Sequence, residues 1–280
     1  VQASWIGYAG TTGLQAMDYY LSDQFALPEG RYDDQFTEQI VRLPLGALFT
    51  AGANAPALGP LPAASNGYLT FGSFHRANKL SRRVIALWAQ LLRGVPDAKM
   101  LLGGLRDGDE DTLLHWFDGE GIDRSRLILR QRATLAAYQQ QHHEVDICLS
   151  PFPYTGSTTL LHALWMGVPT LTTVGPTNPS HAIASALAHM GLSSFIADDE
   201  ASYVRLGMFL SQNLPVLAQL RAGMRERFAS SLLGYPGLAS AGFEHALRLM
   251  WQRWCDALPP APLRVRLADL TLPDEQQSVP

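Results

Sequence analysis

From Gly67 onward the sequence alternates short β-rich runs with amphipathic helical stretches, and this alternation restricts the fold more than any other feature. Strand character falls at 68–73, 98–102, 126–130, 145–149, 169–174 and 194–197, with helices expected at 81–94, 110–118, 133–143, 158–167 and 179–190. Strands alternating with helices in this way predict an α/β fold with a parallel sheet covered by helices on both faces. The stretch 81–94 shows the logic. Ser81 stands where an N-cap belongs, and Val84, Leu87, Trp88, Leu91 and Leu92 recur at three- and four-residue spacing, which puts one apolar stripe against the sheet. In the run 145–149, Val145, Ile147, Cys148 and Leu149 leave only Asp146 polar, as a central parallel strand buried on both faces requires.

The flanking regions read differently. Val1 to Ile6 reads as a strand and runs into a turn punctuated by Gly7, Gly10 and Gly13. Pro28 to Asn66 is irregular, and its Gly/Ala/Pro tract from Ala51 to Ala64 predicts a linker or a surface excursion. After Asp198 the chain is expected to be helical at 203–213, 215–229 and 241–257, with Trp251 and Trp254 as core anchors on the last helix. Prolines follow Leu258, and Asp274 to Pro280 reads as a frayed tail. The chain opens at Val1 on an apolar run without an initiator Met, and so reads as a piece of something longer.

Composition removes several classes of function. Of the 280 residues 47% are apolar and 16% charged, against roughly 25% charged in an average soluble protein, which excludes a disordered polyelectrolyte. The net charge of −4 gives no global attraction to nucleic acid or to an anionic membrane, and no uninterrupted apolar stretch is long enough to cross one. Neither is expected as a partner. The two cysteines, Cys148 and Cys255, lie far apart and form no metal-ligand spacing, so a reducing, cytoplasmic compartment is expected. The sequence has no H-E-x-x-H, Walker A or G-x-S-x-G motif, and its eight histidines form no metal cluster. No metal and no cofactor are expected.

Ligands of open parallel sheets gather at the carboxyl ends of strands, near the helix starts that follow. Ser150 to Thr159 is such a segment: Gly156 lets a ligand approach the backbone, and Ser157, Thr158 and Thr159 open a helix whose free N–H groups face an anion. The same hydroxyls would equally serve as helix caps. Phe74 to Lys79 follows another strand and offers Arg76 and Lys79, either as diphosphate ligands or as solvated surface charges. Leu129 to Tyr138 offers backbone groups near Ala133 and an aromatic ring, Tyr138, that suits a flat base or ordinary half-buried packing. His162, one turn beyond Thr159, is either directed to the same crevice or a satisfied histidine. Asp146 and Asp18 read as structural.

Taken in order, four motifs resemble the C-terminal part of the catalytic region of the protein O-GlcNAc transferase and SPINDLY family, glycosyltransferase family 41. They are Val1 to Gly13 followed by Met17, Asp18 and Tyr19; Phe71 to Lys79; Val145 to Thr159; and Ala163 to Pro169. The resemblance runs from Val1 to about Trp254. It implies a GT-B fold, a doubly wound Rossmann-like parallel sheet in the C-terminal lobe with a remnant of the N-terminal lobe. The implied division is 1–23 as the end of the N-terminal catalytic lobe, 24–66 as linker, 67–257 as the nucleotide-sugar-binding lobe and 258–280 as tail.

The resemblance also implies roles. Lys79 would hold the diphosphate as the catalytic cation, joined by Thr158 and Thr159; Ala133 would meet the uracil through its backbone, and Tyr138 would stack on the base. Gly7 would belong to the turn that closes over the sugar. Four positions depart from the family pattern: His162 replaces the ribose-facing aspartate, Ser157 the histidine before the two threonines, Tyr138 a base-stacking histidine, and Arg76 a glutamine that contacts the nucleotide. Tyrosine stacks as well as histidine. A neutral imidazole makes one hydrogen bond to a ribose hydroxyl, whereas a carboxylate accepts from both hydroxyls.

The implied activity is inverting transfer of a sugar from a UDP-sugar, UDP-GlcNAc by resemblance, to Ser or Thr hydroxyls of a protein acceptor. The upstream catalytic lobe and tetratricopeptide repeats are the further partners it implies. A donor-binding or scaffold module without turnover is the alternative, and a GT-B sugar-nucleotide epimerase or hydrolase ranks last.

Overall fold

The computed structural model describes every residue except Ala47, Ala51, Ala53 and 271–280. The tail expected at Asp274 to Pro280 therefore lies outside the described residues. In chain order the strands are β1 (Ala3–Ser4), β2 (Tyr19–Asp23), β3 (Gln39–Leu43), β4 (Thr70–Ser73), β5 (Lys99–Leu105), β6 (Leu127–Gln131), β7 (Ile147–Leu149), β8 (Thr170–Thr173), β9 (Ile196–Ala197) and β10 (Leu263–Arg264). The helices are α1 (Ala63–Asn66), α2 (Arg82–Gly94), α3 (Asp109–Gly119), α4 (Leu135–Gln141), α5 (Ser157–Trp165), α6 (Ala182–His189), α7 (Glu200–Ser211), α8 (Leu214–Ala229) and α9 (Pro236–Cys255). They form two compact units, one of Val1–Thr50, Gly175–Gly191 and Phe228–Pro280, the other of Ala51–Val174 and Leu192–Arg227.

The second unit carries the alternation read from the sequence. Its six strands are parallel and ordered β6-β5-β4-β7-β8-β9. Numbered within the unit this is 3-2-1-4-5-6, the doubly wound order whose connections run in opposite directions from the two central strands. Those strands are β4 and β7, paired through Phe71 with Ile147 and Gly72 with Cys148.

Helix α2 behaves as its spacing requires. Ser81 accepts a hydrogen bond from the Val84 N–H at 3.3 Å, and Val84, Leu87, Trp88, Leu91 and Leu92 are all buried. The Trp88 indole N–H donates to the Tyr203 hydroxyl on α7 at 3.2 Å. Gly207 lets α7 come this close, because a Cβ there would stand 2.6 Å from a Leu91 methyl.

In the first unit the four-stranded sheet β1-β2-β3-β10 is also parallel. Helix α9 covers one face by packing Ala246 and Met250 against Tyr19, Leu21, Val41 and Leu43, while Trp5 stacks on Phe243 at 4.8 Å. Tyr20, Leu27, Tyr32 and Ile40 form a separate buried cluster.

Several expectations differ here. The segment 24–66 is not a plain linker: it holds β3, with Val41 fully buried, and its later part is held within the second unit. The supposed tail contributes β10 and buried Val265. Strand β1 covers only two residues of the six expected. The lobe expected at 67–257 differs in extent from the second unit, which starts at Ala51, leaves out Gly175–Gly191 and ends at Arg227, since α9 packs on the other sheet. Trp251 and Trp254 are not core anchors; each is 58% exposed, and their rings stack on one another at 4.9 Å. The small residues of α9, Gly242 and Ala246, take the buried side.

Two arginines of α8 fasten the irregular run before β4 within the second unit: Arg225 donates to the Pro56 carbonyl, and Arg221 reaches deeper. Arg221 of α8, 1% exposed, donates to the carbonyls of Gly59 at 2.9 Å, Val145 at 2.7 Å and His142 at 3.0 Å. Beside it Asp146 accepts from the backbone N–H groups of Ala63 at 2.9 Å and Thr70 at 2.8 Å, which is the structural role read for it. Arg221→Met keeps the aliphatic stem but leaves three carbonyls short of donors, so unfolding free energy should fall by about 3 kcal/mol or more. Urea denaturation at pH 7 measures it; a change below about 0.5 kcal/mol, the size of an ordinary surface substitution, would contradict this role.

Candidate functional site

Adjacent parallel strands whose connections diverge leave a crevice at their carboxyl ends, and here the two segments released are Phe74–Leu80 after β4 and Ser150–Gly156 after β7. Both were singled out in the sequence, and the structure brings them together. The Lys79 ammonium donates to the Thr155 carbonyl at 3.1 Å and lies 4.3 Å from the centre of the Tyr154 ring. Burial, with the Arg76 charge nearby, holds its pKa below the usual lysine range. Arg76, the second cation of the same turn, is exposed, and its carbonyl accepts from the Lys79 N–H at 2.9 Å.

Helix α5 starts directly after this loop. Its N-cap is Gly156, and no side chain caps it. Ser157 and Thr158 are exposed and Thr159 half-buried. None of these three hydroxyls is engaged in capping, so the alternative reading of them as caps does not hold. The first-turn N–H groups of a helix have no intrahelical acceptor, and the macrodipole places about half a positive charge there. Lys79, tied to the residue before the N-cap, thus adds its charge to this positive terminus.

His162 lies one turn along α5, half-buried, with its ring 5.5 Å from that of Tyr138. Burial holds its pKa below the ordinary histidine value, so it is neutral at pH 7. Tyr138, on α4, meets Phe74 edge-on at 5.5 Å and His142 at 4.9 Å. It is partly buried against the Phe74 cluster, and burial raises the pKa of its phenol. Ala133 is exposed in the loop between β6 and α4, just past Arg132, whose N–H donates to the Leu105 carbonyl at 2.8 Å.

Gly7 stands in the first unit, exposed, apart from the residues above in the division of the chain. Its N–H donates to the Trp5 carbonyl at 2.8 Å and closes a tight turn around Ile6, whose φ is +67°. A β-branched residue there costs on the order of 1–3 kcal/mol, strain of the kind that collects at functional turns. Asp18 accepts from the Gln2 N–H at 2.7 Å, a structural role as expected.

One residue at the site carried no role in the sequence reading. His75 is 5% exposed, its Nδ1 lies 3.1 Å from the Ser73 hydroxyl, and its Nε2 has no hydrogen-bond partner. Only its place between a strand end and the cations Arg76 and Lys79 marked it. Among the described residues, no three His, Cys, Asp or Glu side chains are grouped to hold a metal ion, and no helix is long and apolar enough to cross a membrane.

The doubly wound sheet with an anion-attracting helix start at its switch point defines an α/β lobe of the GT-B type. The profile of glycosyl transferase family 41 matches residues 61–236. A probable UDP-N-acetylglucosamine–peptide N-acetylglucosaminyltransferase SPINDLY of Hordeum vulgare is 34% identical over 97% of this chain, and its Arabidopsis thaliana counterpart 33% over 98%. The chain spans only 29% and 30% of those two proteins. Among solved structures, a mutant O-GlcNAc transferase of Thermobaculum terrenum superposes with a TM-score of 0.83 at 30% identity, over 92% of this chain and 49% of that one. TarM shares the fold at 14% identity and a TM-score of 0.58. The chain belongs to glycosyl transferase family 41.

The buried histidines give a pH signature. Burial pushes both His75 and His142 down to about 3, with the Lys79 charge adding to the effect at His75. Folded, both stay neutral where an unfolded histidine, at about 6.5, takes up a proton. The unfolded chain therefore binds more protons below pH 6.5, and stability falls as pH falls. Two such groups give a slope of up to about 2.7 kcal/mol per pH unit. Urea unfolding between pH 7 and 5, above most carboxylate titrations, should show the loss, and His75→Asn with His142→Gln should flatten it. An unchanged slope in that double variant would contradict burial of the neutral rings.

Proposed function

We propose that this chain is the donor-binding part of an inverting glycosyltransferase that moves a sugar from a UDP-sugar to Ser or Thr hydroxyls of proteins, with GlcNAc as the sugar its relatives' names favour. The observation that carries the reading is the pairing of Lys79 with the uncapped start of α5, joined through the Thr155 carbonyl at 3.1 Å.

In this reaction the oxygen of an acceptor hydroxyl bonds to the anomeric carbon and gives up its proton to solvent, the bond from that carbon to the diphosphate oxygen breaks, and UDP leaves with the electron pair. Negative charge grows on the departing phosphate. Donors already aimed at that charge lower the barrier because they need no reorganisation. Lys79, Arg76 and the first-turn N–H groups of Ser157 to Thr159 are those donors, with the hydroxyls of Thr158 and Thr159 beside them. We assign the positive charge to these groups and not to a divalent metal. The backbone at Ala133 and the ring of Tyr138 would take the base, and neutral His162 would give one hydrogen bond to the ribose. Gly156 is assigned to the phosphate through its backbone, the side a Cβ would take being filled by the His75 ring, and Gly7 is assigned to the sugar by resemblance. An upstream catalytic lobe would complete the acceptor side, and tetratricopeptide repeats would select the protein.

His162 favours a second reading, a module that binds donor without turnover, since an imidazole replaces one of two hydrogen bonds to the ribose. The readings separate on UDP release from UDP-GlcNAc in the presence of acceptor protein, measured on a polypeptide carrying both catalytic lobes. Only an enzyme releases it.

In that polypeptide Lys79→Ala should lower the transfer rate by about 10²–10³, the size seen when one preorganised donor to a developing anion is removed. Transfer at the unsubstituted rate would end this assignment. Excess EDTA should leave transfer unchanged, and a loss that Mg²⁺ restores would show that a metal shares the role given to Lys79.

A further inference from the structure

His75 occupies a position that the proposed chemistry does not explain. It lies between Phe74 and Arg76, but the turn carries its ring inward, to 5% exposure, while Arg76 points to solvent. Ser73, the last residue of β4, holds Nδ1 at 3.1 Å. The opposite edge of the ring lies against Gly156: a Cβ built on that glycine would stand 2.6 Å from Nε2 and 2.9 Å from Cδ2. Gly156 is the N-cap of α5 and has an extended backbone, φ −120° and ψ 130°, that any residue can adopt. Backbone conformation does not demand a glycine at 156. The imidazole does.

We propose that His75 is a positioning residue of the donor site, a neutral wedge that seats the Gly156 backbone so that the start of α5 and the Lys79 ammonium face the same phosphate. This rests on the donor-binding reading above. Three observations support it independently of that reading. The ring is fixed at one edge by Ser73 and at the other by the loop. The next contact along the loop is Lys79 on Thr155, so the two side chains of one turn grip consecutive residues of the other. Nε2 is buried without a hydrogen-bond partner, a cost that a purely apolar filler would avoid. Burial and the Lys79 charge keep the ring neutral, so it adds no repulsion to the cations around it.

The test is a double-mutant cycle on His75 and Gly156, read in UDP affinity by calorimetry and in stability by urea unfolding. Gly156→Ala alone should weaken UDP binding about tenfold or more, because the methyl group and the imidazole cannot share the space. Combined with His75→Ala, which removes the ring, the same Gly156→Ala change should cost less than about threefold. Disappearance of the Gly156→Ala penalty once the ring is gone is a readout that a generally destabilised chain would not give. His75→Asn, which keeps a polar group near Ser73 but is smaller, should relieve Gly156→Ala in part. If Gly156→Ala binds UDP as the unsubstituted chain does, or if Gly156→Ala costs as much in the His75→Ala background as in the unsubstituted chain, the positioning role is wrong while the donor reading stands. If the unsubstituted protein binds no UDP, the donor reading fails and this role falls with it.

Discussion

Two strands released side by side set the terms for the rest of this molecule. β4 and β7 are neighbours in the centre of a parallel sheet, yet the chain leaves them for opposite directions along it, so their carboxyl ends cannot be bridged by either following helix. The opening is filled instead by two turns that hold each other. Lys79 from one turn donates to Thr155 of the other, and His75 packs on Gly156. This contact fixes where α5 begins, and through it where the positive end of a helix and a lysine ammonium coincide. Buried Arg221 and Asp146 act behind the same strand, tying the chain around Val145 and Thr70 so that β7 and β4 keep their register.

The electrostatics of the site divide by burial. Arg76 is exposed, and salt screens a charge in that position over about 8–10 Å. Lys79 is half-buried, so its field is weakened less, at the cost of a pKa held below the usual lysine range. The start of α5 cannot move away, because its donors are backbone. A fixed partial charge and a tethered full charge suit a leaving diphosphate better than two mobile surface cations. The nucleoside side is less polar: Tyr138, Phe74, His142 and His162 form an aromatic cluster of neutral rings. A base would meet packing surface there, and a ribose would find a single imidazole.

The alternation of strands and helices was legible because short β-rich runs are separated by amphipathic stretches; α2 and β7 appear where their patterns place them. The cationic turn and the helix start were located by their places after strand ends, but each kept a second reading, surface charge or helix cap, which no local pattern removes. What was hidden was long-range. β3 reads as five residues inside a Pro- and Gly-rich stretch, and only pairing with β2 and β10, which no local pattern announces, makes Val41 a core residue. Helix α9 shows enough apolar residues to bury either side, so Trp251 and Trp254 could not be placed until Gly242 and Ala246 were seen against the first sheet. His75 was hidden for another reason: its role depends on a residue 81 positions away, Gly156, whose glycine looked like ordinary turn chemistry.

The placement of the diphosphate decides the matter most directly. A crystal structure of the protein with UDP bound should show the terminal phosphate within about 2.7–3.2 Å of the Lys79 ammonium and of at least one first-turn N–H of Ser157 to Thr159. UDP bound elsewhere in the chain, or with its phosphates turned away from both Lys79 and the start of α5, would contradict the proposed donor site.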